Sequence, residues 1–589
     1  MGAQCSFARS IKSATSAQDF HLKMWPIALT SLFYVPLVAS AALNRRSGGA
    51  QILTPAVDVF INKLFTEWNS PGGAAVAVVR MDGQGRWLVE TKGYGFAKAD
   101  GTKVGPETMF AIGSNSKLFD VLATGLLISN ESLTPQISWD TTIASVIPNW
   151  KLLDTVASAQ STITDLMAHR TGLPAHDFAY FLNNDSIPAV IERAQYLKPS
   201  LGFRAAAQYN NIMYAVLSYF PTTLLPGNPP FARYVAEHIL GPLGLNSTTY
   251  SFASANKTEG MADGFARDGL NISRSPLDAG TTRIVPFLFP TETEDGNSVS
   301  GAGGLLSNAI DMARWLQMLL ADGRNPDTNA TIIPPAVLDT LATGFSVWVG
   351  NSDSGQFPDA PELSPATYSG GQSQMAYRGH LMLEHEGALP GYHSRITRFP
   401  DDGAGVAILT NDDAFGPVMK EIIKYRLADE IFGLQPVDWD SRYQAAIQQL
   451  ELAGGTRTPT PANASLPFEL SAMLGTYRNL GYGADIELCA PAAKSPSPAC
   501  AALVTRLNST FPAQLAAADL VWAWNRVLAD YVTLTHFDGA VFNVSGSWIA
   551  MPTGDPTAPF WPYDTKLESN VAEFALDGRG KVAGFGLRG

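Results

Sequence analysis

Within Phe110-Ala-Ile-Gly-Ser-Asn-Ser-Lys-Leu-Phe-Asp120 a hydroxyl, Ser114, and an amine, Lys117, stand three residues apart where an apolar helical pattern begins. A serine hydroxyl is a weak nucleophile at neutral pH and needs an adjacent base. Residues i and i+3 of a helix share a face, so Lys117 reaches Ser114 without help from a distant loop. The helix start adds partial positive charge where an oxyanion would develop. A chain of this length carries the Ser-x-x-Lys pattern about once by chance, and Ser254-Ala-Asn-Lys257 is a second copy. Context separates the two. Leu118, Val121, Leu122, Gly125 and Leu126 follow Ser114 at helical spacing, whereas Ser254 leads into the polar Asn256-Lys-Thr-Glu-Gly260. Read by itself, Ser114 fits a helix N-cap as well as a nucleophile.

Two further segments carry chemistry. Tyr209-Asn210-Asn211 follows Phe203-Arg204 and precedes a helical pattern, and His385-Glu386-Gly387 ends a predicted strand. Tyr477-Arg-Asn479 repeats the Tyr-x-Asn spacing in a β-rich stretch without a following helix, and reads as structural. Each motif alone also fits a cap or a turn. Their order, Ser-x-x-Lys, Tyr-x-Asn, His-x-Gly, resembles the serine β-lactamase and penicillin-binding-protein superfamily, in particular class C-like β-lactamases, D-aminopeptidases and family VIII carboxylesterases. Leu166-Met-Ala-His-Arg-Thr-Gly-Leu-Pro174, Pro242-Leu-Gly-Leu-Asn-Ser-Thr248, Gly301-Ala-Gly-Gly-Leu-Leu-Ser307 and Gly387-Ala-Leu-Pro-Gly391 resemble further segments of that family. The resemblance spans roughly residues 55 to 445, and the joint order is specific where each part is weak.

It implies an acyl-transfer site. Ser114 attacks a carbonyl, Lys117 and Tyr209 share the proton transfers with coupled ionisations, and Asn211 holds Lys117 and the substrate. The backbone N–H groups of Ser114 and Ala388 form the oxyanion hole, with His385 and Gly387 on the strand beside the substrate. β-Lactamases and most transpeptidases carry Lys-Thr-Gly on that strand, where the cation binds a substrate carboxylate. Here His385 replaces the lysine, and a neutral imidazole is a weaker anion anchor. The expected reaction is therefore hydrolysis of an ester or amide bond rather than of an antibiotic. Acyl transfer to an alcohol or amine shares the same acyl-enzyme half-reaction, and an inactive binding homologue is a third reading, disfavoured by four intact cooperating groups. No Gly-x-Ser-x-Gly elbow is present, which excludes an α/β-hydrolase explanation.

The elements that position these residues follow from periodicity. Short β-rich runs at Ala74 to Val79 and Trp87 to Glu90 flank the turn Asp82-Gly-Gln-Gly85. Helical patterns occupy Thr162 to Ala168, Met213 to Tyr219, Phe231 to Ile239 and Ala309 to Leu320. Strands resume at Leu381 to Glu386, His393 to Phe399 and Gly405 to Thr410, and a helix from about Pro417 to Phe432 closes the unit. Strands at both ends with helices between predict one discontinuous α/β domain, an antiparallel sheet flanked by helices plus a helical region. We assign residues 43–452 to it, 453–465 to a Pro/Thr-rich linker, and 466–589 to a small β-rich, barrel-like domain. Pro358 to Tyr368 and Phe287 to Asn297 read as irregular loops that set specificity.

At 589 residues, 46% of them hydrophobic, the chain is long enough for two cores, and its net charge of −13 excludes a nucleic-acid partner. A small ester, amide or peptide is the expected substrate, with no cofactor and no metal. The eight histidines are scattered. Residues 1–42 read as a leader, with the apolar run Trp25 to Ala42 ending in the small-x-small Ala39-Ser-Ala41. Secretion is expected, with Met24 as an alternative start and membrane anchoring through the same segment as the alternative. Met1-Gly-Ala-Gln-Cys-Ser6 also fits an acylation signal. Sequons at Asn130, Asn184, Asn246, Asn256, Asn271, Asn329, Asn463, Asn508 and Asn543 favour secretion. Of three cysteines, Cys489 and Cys500 bracket a Pro/Ser-rich loop and are expected to pair, two free thiols being the alternative.

Overall fold

The computed structural model describes residues 50–179, 185–257, 260–271, 275, 277–350, 360–452, 464–527, 529–550, 561–565 and 571–588. The leader, Asn184, Asn463 and most of the linker lie outside these residues. Among the described residues no helix is long and apolar enough to cross a membrane.

An eight-stranded antiparallel sheet carries the site. Its strands are β1 (Gly73–Met81), β2 (Trp87–Gly95), β3 (Ser346–Val349), β4 (Ala366–Tyr368), β5 (Ser373–Tyr377), β6 (His380–Leu389), β7 (Tyr392–Phe399) and β8 (Ala404–Thr410), in the order β2-β1-β8-β7-β6-β5-β4-β3. The first two strands thus pair with the last, which closes the discontinuous unit that the sequence predicts. β1 explains the layering. Its alanines and valines alternate between two cores, Ala75, Ala77 and Val79 on one face and Ala74, Val76 and Val78 on the other. A fully buried valine contributes about 1.5–3 kcal/mol, so covering both faces fixes the register as well as the layers.

On one face lie α1 (Pro55–Glu67), capped by the Thr54 side chain on Val57 N, and the later α5 (Gly416–Phe432). The other face packs on α2 (Ser116–Ile128), α3 (Asn211–Leu217) and α4 (Ala309–Leu320). In α2 every residue from Ser116 to Gly125 is buried, and Phe119 stacks on Trp315 of α4 at 3.8 Å. A helix apolar on most sides belongs in a core, and this one takes Lys117 and Asp120 in with it. The predicted Phe231 to Ile239 helix is α-helical over Phe231–Val235 and widens to a π turn at Ala236–Leu240.

One expectation is corrected. Ala366–Tyr368, read as part of a loop, is strand β4, paired with β3 and β5. Three residues directly after a proline are too few to show alternation. The tail forms a curled six-stranded sheet over residues 520–588, with an additional two-stranded ladder of Gly475–Tyr477 on Ile486–Leu488. Cys489 and Cys500 form a disulfide with Cα atoms 5.5 Å apart, as expected.

Candidate active site

Ser114 sits in a 3-10 turn, Gly113–Asn115, that leads straight into α2. The turn is fastened on both sides. Asn115 Nδ2 donates to Ser394 Oγ at 2.8 Å, and Ser394 Oγ donates to Ile112 O at 2.8 Å. Ser116 Oγ donates to Gly113 O and accepts from Leu305 N. Gly113 has φ +52°, and a Cβ there would lie 2.6 Å from Ala388 N; one on Gly387 would lie 1.8 Å from Ile112 O. Both positions must be glycine for β6 to approach the turn. That approach brings Ala388 N against Gly113, one peptide from Ser114 N.

Lys117 Nζ makes three contacts: Ser114 Oγ at 2.9 Å, Asn211 Oδ1 at 2.6 Å and Ala302 O at 2.7 Å. The Ala302 carbonyl is an obligate acceptor. Asn211 Oδ1 is fixed as the other, because its Nδ2 donates to Asp177 Oδ1 at 3.0 Å. A neutral amine has two N–H bonds for these acceptors and one lone pair, which is left for the Ser114 hydroxyl. Burial lowers the Lys117 pKa to about 7, against the opposing charges of Asp177 and Asp120. The free base is therefore populated near neutrality.

Tyr209 lies under the amine, its ring centroid 4.7 Å from Lys117 Nζ, and its hydroxyl is hydrogen-bonded to Ser114. Burial raises its phenol well above the usual value, so it carries its proton. Asn210 caps α3 through Met213 N and ties back to Pro174 O at 2.6 Å. Its own N–H donates to Nδ1 of His169, whose ring centroid is 4.5 Å from that of Tyr209.

His385 is neutral. Burial, and then the charge of Lys117, lower its pKa to about 3. Its Nδ1 donates to Glu386 O, and its Nε2 accepts from Tyr368 Oη at 2.9 Å. Both ring nitrogens are thereby engaged within the protein. Tyr368 and Trp348 continue the aromatic wall, Trp348 lying edge-on to Tyr209 at 6.0 Å and remaining 38% exposed. The tail sheet's unit reaches the same region: Tyr482 Oη meets His176 Nδ1 at 2.9 Å, beside the Asp177 that orients Asn211.

All seven site residues expected from the sequence, Ser114, Lys117, Tyr209, Asn211, His385, Gly387 and Ala388, lie around this one turn. The two look-alike motifs do not. Ser254 is exposed and donates to Glu294, and Tyr477 Oη donates to Met473 O in the tail. Tyr368, at the end of the Pro358 to Tyr368 segment expected to set specificity, lies on His385. Asp177, Asp120 and Trp348 also lie here and carry no motif, Asp120's one sequence signal being its place one turn after Lys117.

A family model described as Beta-lactamase matches residues 62–429. The chain belongs to that family, and with this site it is a serine hydrolase. Among curated relatives, the unguisins hydrolase ungD' of Aspergillus campestris is 28% identical over 403 residues, covering 67% of this chain and 68% of the relative. The unguisins hydrolase ungD of Aspergillus violaceofuscus is 27% identical over 449 residues, covering 72% and 75%. Among solved structures, the octameric penicillin-binding protein homologue from Pyrococcus abyssi superposes with a TM-score of 0.48 at 17% identity, covering 89% of this chain and 96% of that one.

Proposed function

We propose that the protein hydrolyses an ester or amide bond through an acyl-Ser114 intermediate. The observation that carries this reading is the Lys117 amine, 2.9 Å from Ser114 Oγ with its two N–H bonds committed elsewhere. Lys117 takes the Ser114 proton as Oγ bonds to the carbonyl carbon, and the π electrons move to the carbonyl oxygen, held by the N–H groups of Ser114 and Ala388. Collapse breaks the bond to the leaving group, which receives the proton from Lys117 by way of the Tyr209 hydroxyl. Water then repeats the sequence on the acyl-enzyme. With His385 neutral and internally bonded, the substrate is recognised without a carboxylate anchor on β6, and the aromatic wall of Trp348 and Tyr209 favours an apolar group beside the scissile bond.

Turnover of matched p-nitrophenyl esters and p-nitroanilides tests the reading. Ser114→Ala and Lys117→Ala are expected to abolish turnover of whichever series the wild type accepts. Equal turnover by Ser114→Ala would overturn it.

We also infer that the chain is secreted, the leader being removed near Ala41. The disulfide supports an oxidising compartment, and Asn246, Asn271, Asn329, Asn508 and Asn543 are exposed and open to glycosylation, while Asn130 and Asn256 are half-buried. N-terminal sequencing of native protein decides: a start near Asn44 supports cleavage, and an intact Met1 or acylated Gly2 contradicts it.

A further inference from the structure

Ser114, Lys117 and Asp120 follow at i, i+3 and i+6, which lines them up on one face of the helix. The mechanism above uses only the first two. Asp120 is fully buried, and neither of its carboxylate oxygens has a hydrogen-bond partner among the described residues. It faces backbone and carbon: a Cβ on Gly301 would lie 2.6 Å from Asp120 Oδ2 and 2.7 Å from Ser218 Cβ. The next residue, Ala302, places its carbonyl on Lys117 Nζ. The buried hydroxyl of Tyr250 also lacks a partner and feels the Asp120 charge. A buried carboxyl without hydrogen bonds costs stability, and a leucine would fill the place without that cost. Lys117, one turn back, is the charge that answers it.

We propose that Asp120 is a positioning residue that raises the proton affinity of Lys117, so that the amine is a strong enough base to take the proton of Ser114. The proposal rests on the acyl-serine reading. In the step itself the Ser114 proton moves to Lys117 Nζ, the ammonium so formed is balanced by the Asp120 carboxylate, and the proton passes on to the leaving group. Asp120 neither gains nor loses a proton over the cycle. The other groups facing Lys117 are Ser114 on its own turn, Tyr209, Asn211 and Tyr214 at α3, His169 and Asp177 on the preceding segment, and His385 on β6. Asp177 supplies the second negative charge, and the two histidines are held neutral, His169 because burial, Lys117 and His385 keep its pKa well below the usual value. Burial pushes the Asp120 carboxyl well above the usual range and the Lys117 charge opposes that shift, so the carboxylate depends on Lys117 carrying its proton.

The test is the pH profile of kcat/KM for a p-nitrophenyl ester in wild type, Asp120→Asn and Asp120→Leu, with Ser114→Ala alongside. Both variants are expected to move the acid limb down by about one pH unit, since a neighbouring opposite charge shifts a pKa by about that much. Their plateau kcat falls about tenfold as the amine weakens. Asp120→Leu also gains in Tm, because an apolar side chain of similar shape replaces an unpartnered carboxyl. Folded variants whose acid limb stays at the wild-type position would overturn the proposal. Wild-type turnover that persists in Ser114→Ala would instead overturn the acyl-serine reading, so the two failures are distinguishable.

Discussion

The two faces of β6 hold charge in opposite ways, Glu384 being buried and Glu386 exposed on one of them. On the face toward α5, Glu384 and Glu386 meet a closed network: Lys424 Nζ lies 3.1 Å from Glu384 Oε2 and 2.7 Å from Glu421 Oε2, Lys420 Nζ lies 2.8 Å from Glu421 Oε1, and Arg395 bridges Glu384, Glu386 and Glu421. Burial alone would raise Glu421, yet Arg395, Lys420 and Lys424 hold it well below the usual carboxylate value. On the face toward Ser114, burial outweighs the opposite charge supplied and favours the neutral forms. Lys117 titrates near 7, His385 near 3, and Tyr209 keeps its proton. Burial is common to both faces; the supply of opposite charge differs. Paired charge fixes a strand, and underpaired charge makes bases and acids.

Breaking a pair on the first face should be the costliest change. Lys424→Met removes a buried cation shared by Glu384 and Glu421, leaving them Arg395 and Lys420, and is expected to lower stability by about 3 kcal/mol, read by chemical denaturation. Lys117→Met on the second face should cost activity first: kcat falls about 10³-fold, the loss expected for a general base, while the loss of stability is smaller because burial already favours the protonated Asp120 carboxyl. A matching stability loss in Lys117→Met would erase the contrast between the faces. Cys500→Ser opens a loop with a sequence separation of 11 in the tail; it should cost about 3 kcal/mol or less, confined to the tail sheet, with kcat unchanged. The smallest effect is a titration. With Lys117 as the proposed base, kcat/KM should rise with pH to a plateau with a midpoint near 7, and lie flat there in a sample whose rate does not depend on Lys117.

Much of this was legible in the chain. The helix expected from Pro417 to Phe432 runs Gly416–Phe432, and the strands expected at His393 to Phe399 and Gly405 to Thr410 run Tyr392–Phe399 and Ala404–Thr410. These segments carry periodicity over seven or more residues. The closeness of Ser114, Lys117 and Tyr209 was legible because three weak motifs stand in one order along the chain, although each spacing alone also fits a cap or a turn. Asp177 was not, since its importance lies in holding an amide 34 positions away. Trp348 and Tyr368 sit on strands of four and three residues, too short to show a pattern. The charges of α5 explain another blind spot: Lys420, Glu421 and Lys424 are buried because β6 and β7 bring their partners, and those partners are invisible to a helical wheel.

The most direct test of the central claim is intact-mass and peptide mapping of the folded protein after a fluorophosphonate probe, across pH 5 to 9. The account predicts one adduct, on Ser114, forming faster as pH rises through about 7 and absent in Ser114→Ala. No adduct on folded wild type, or one mapped to Ser254 instead, would contradict it.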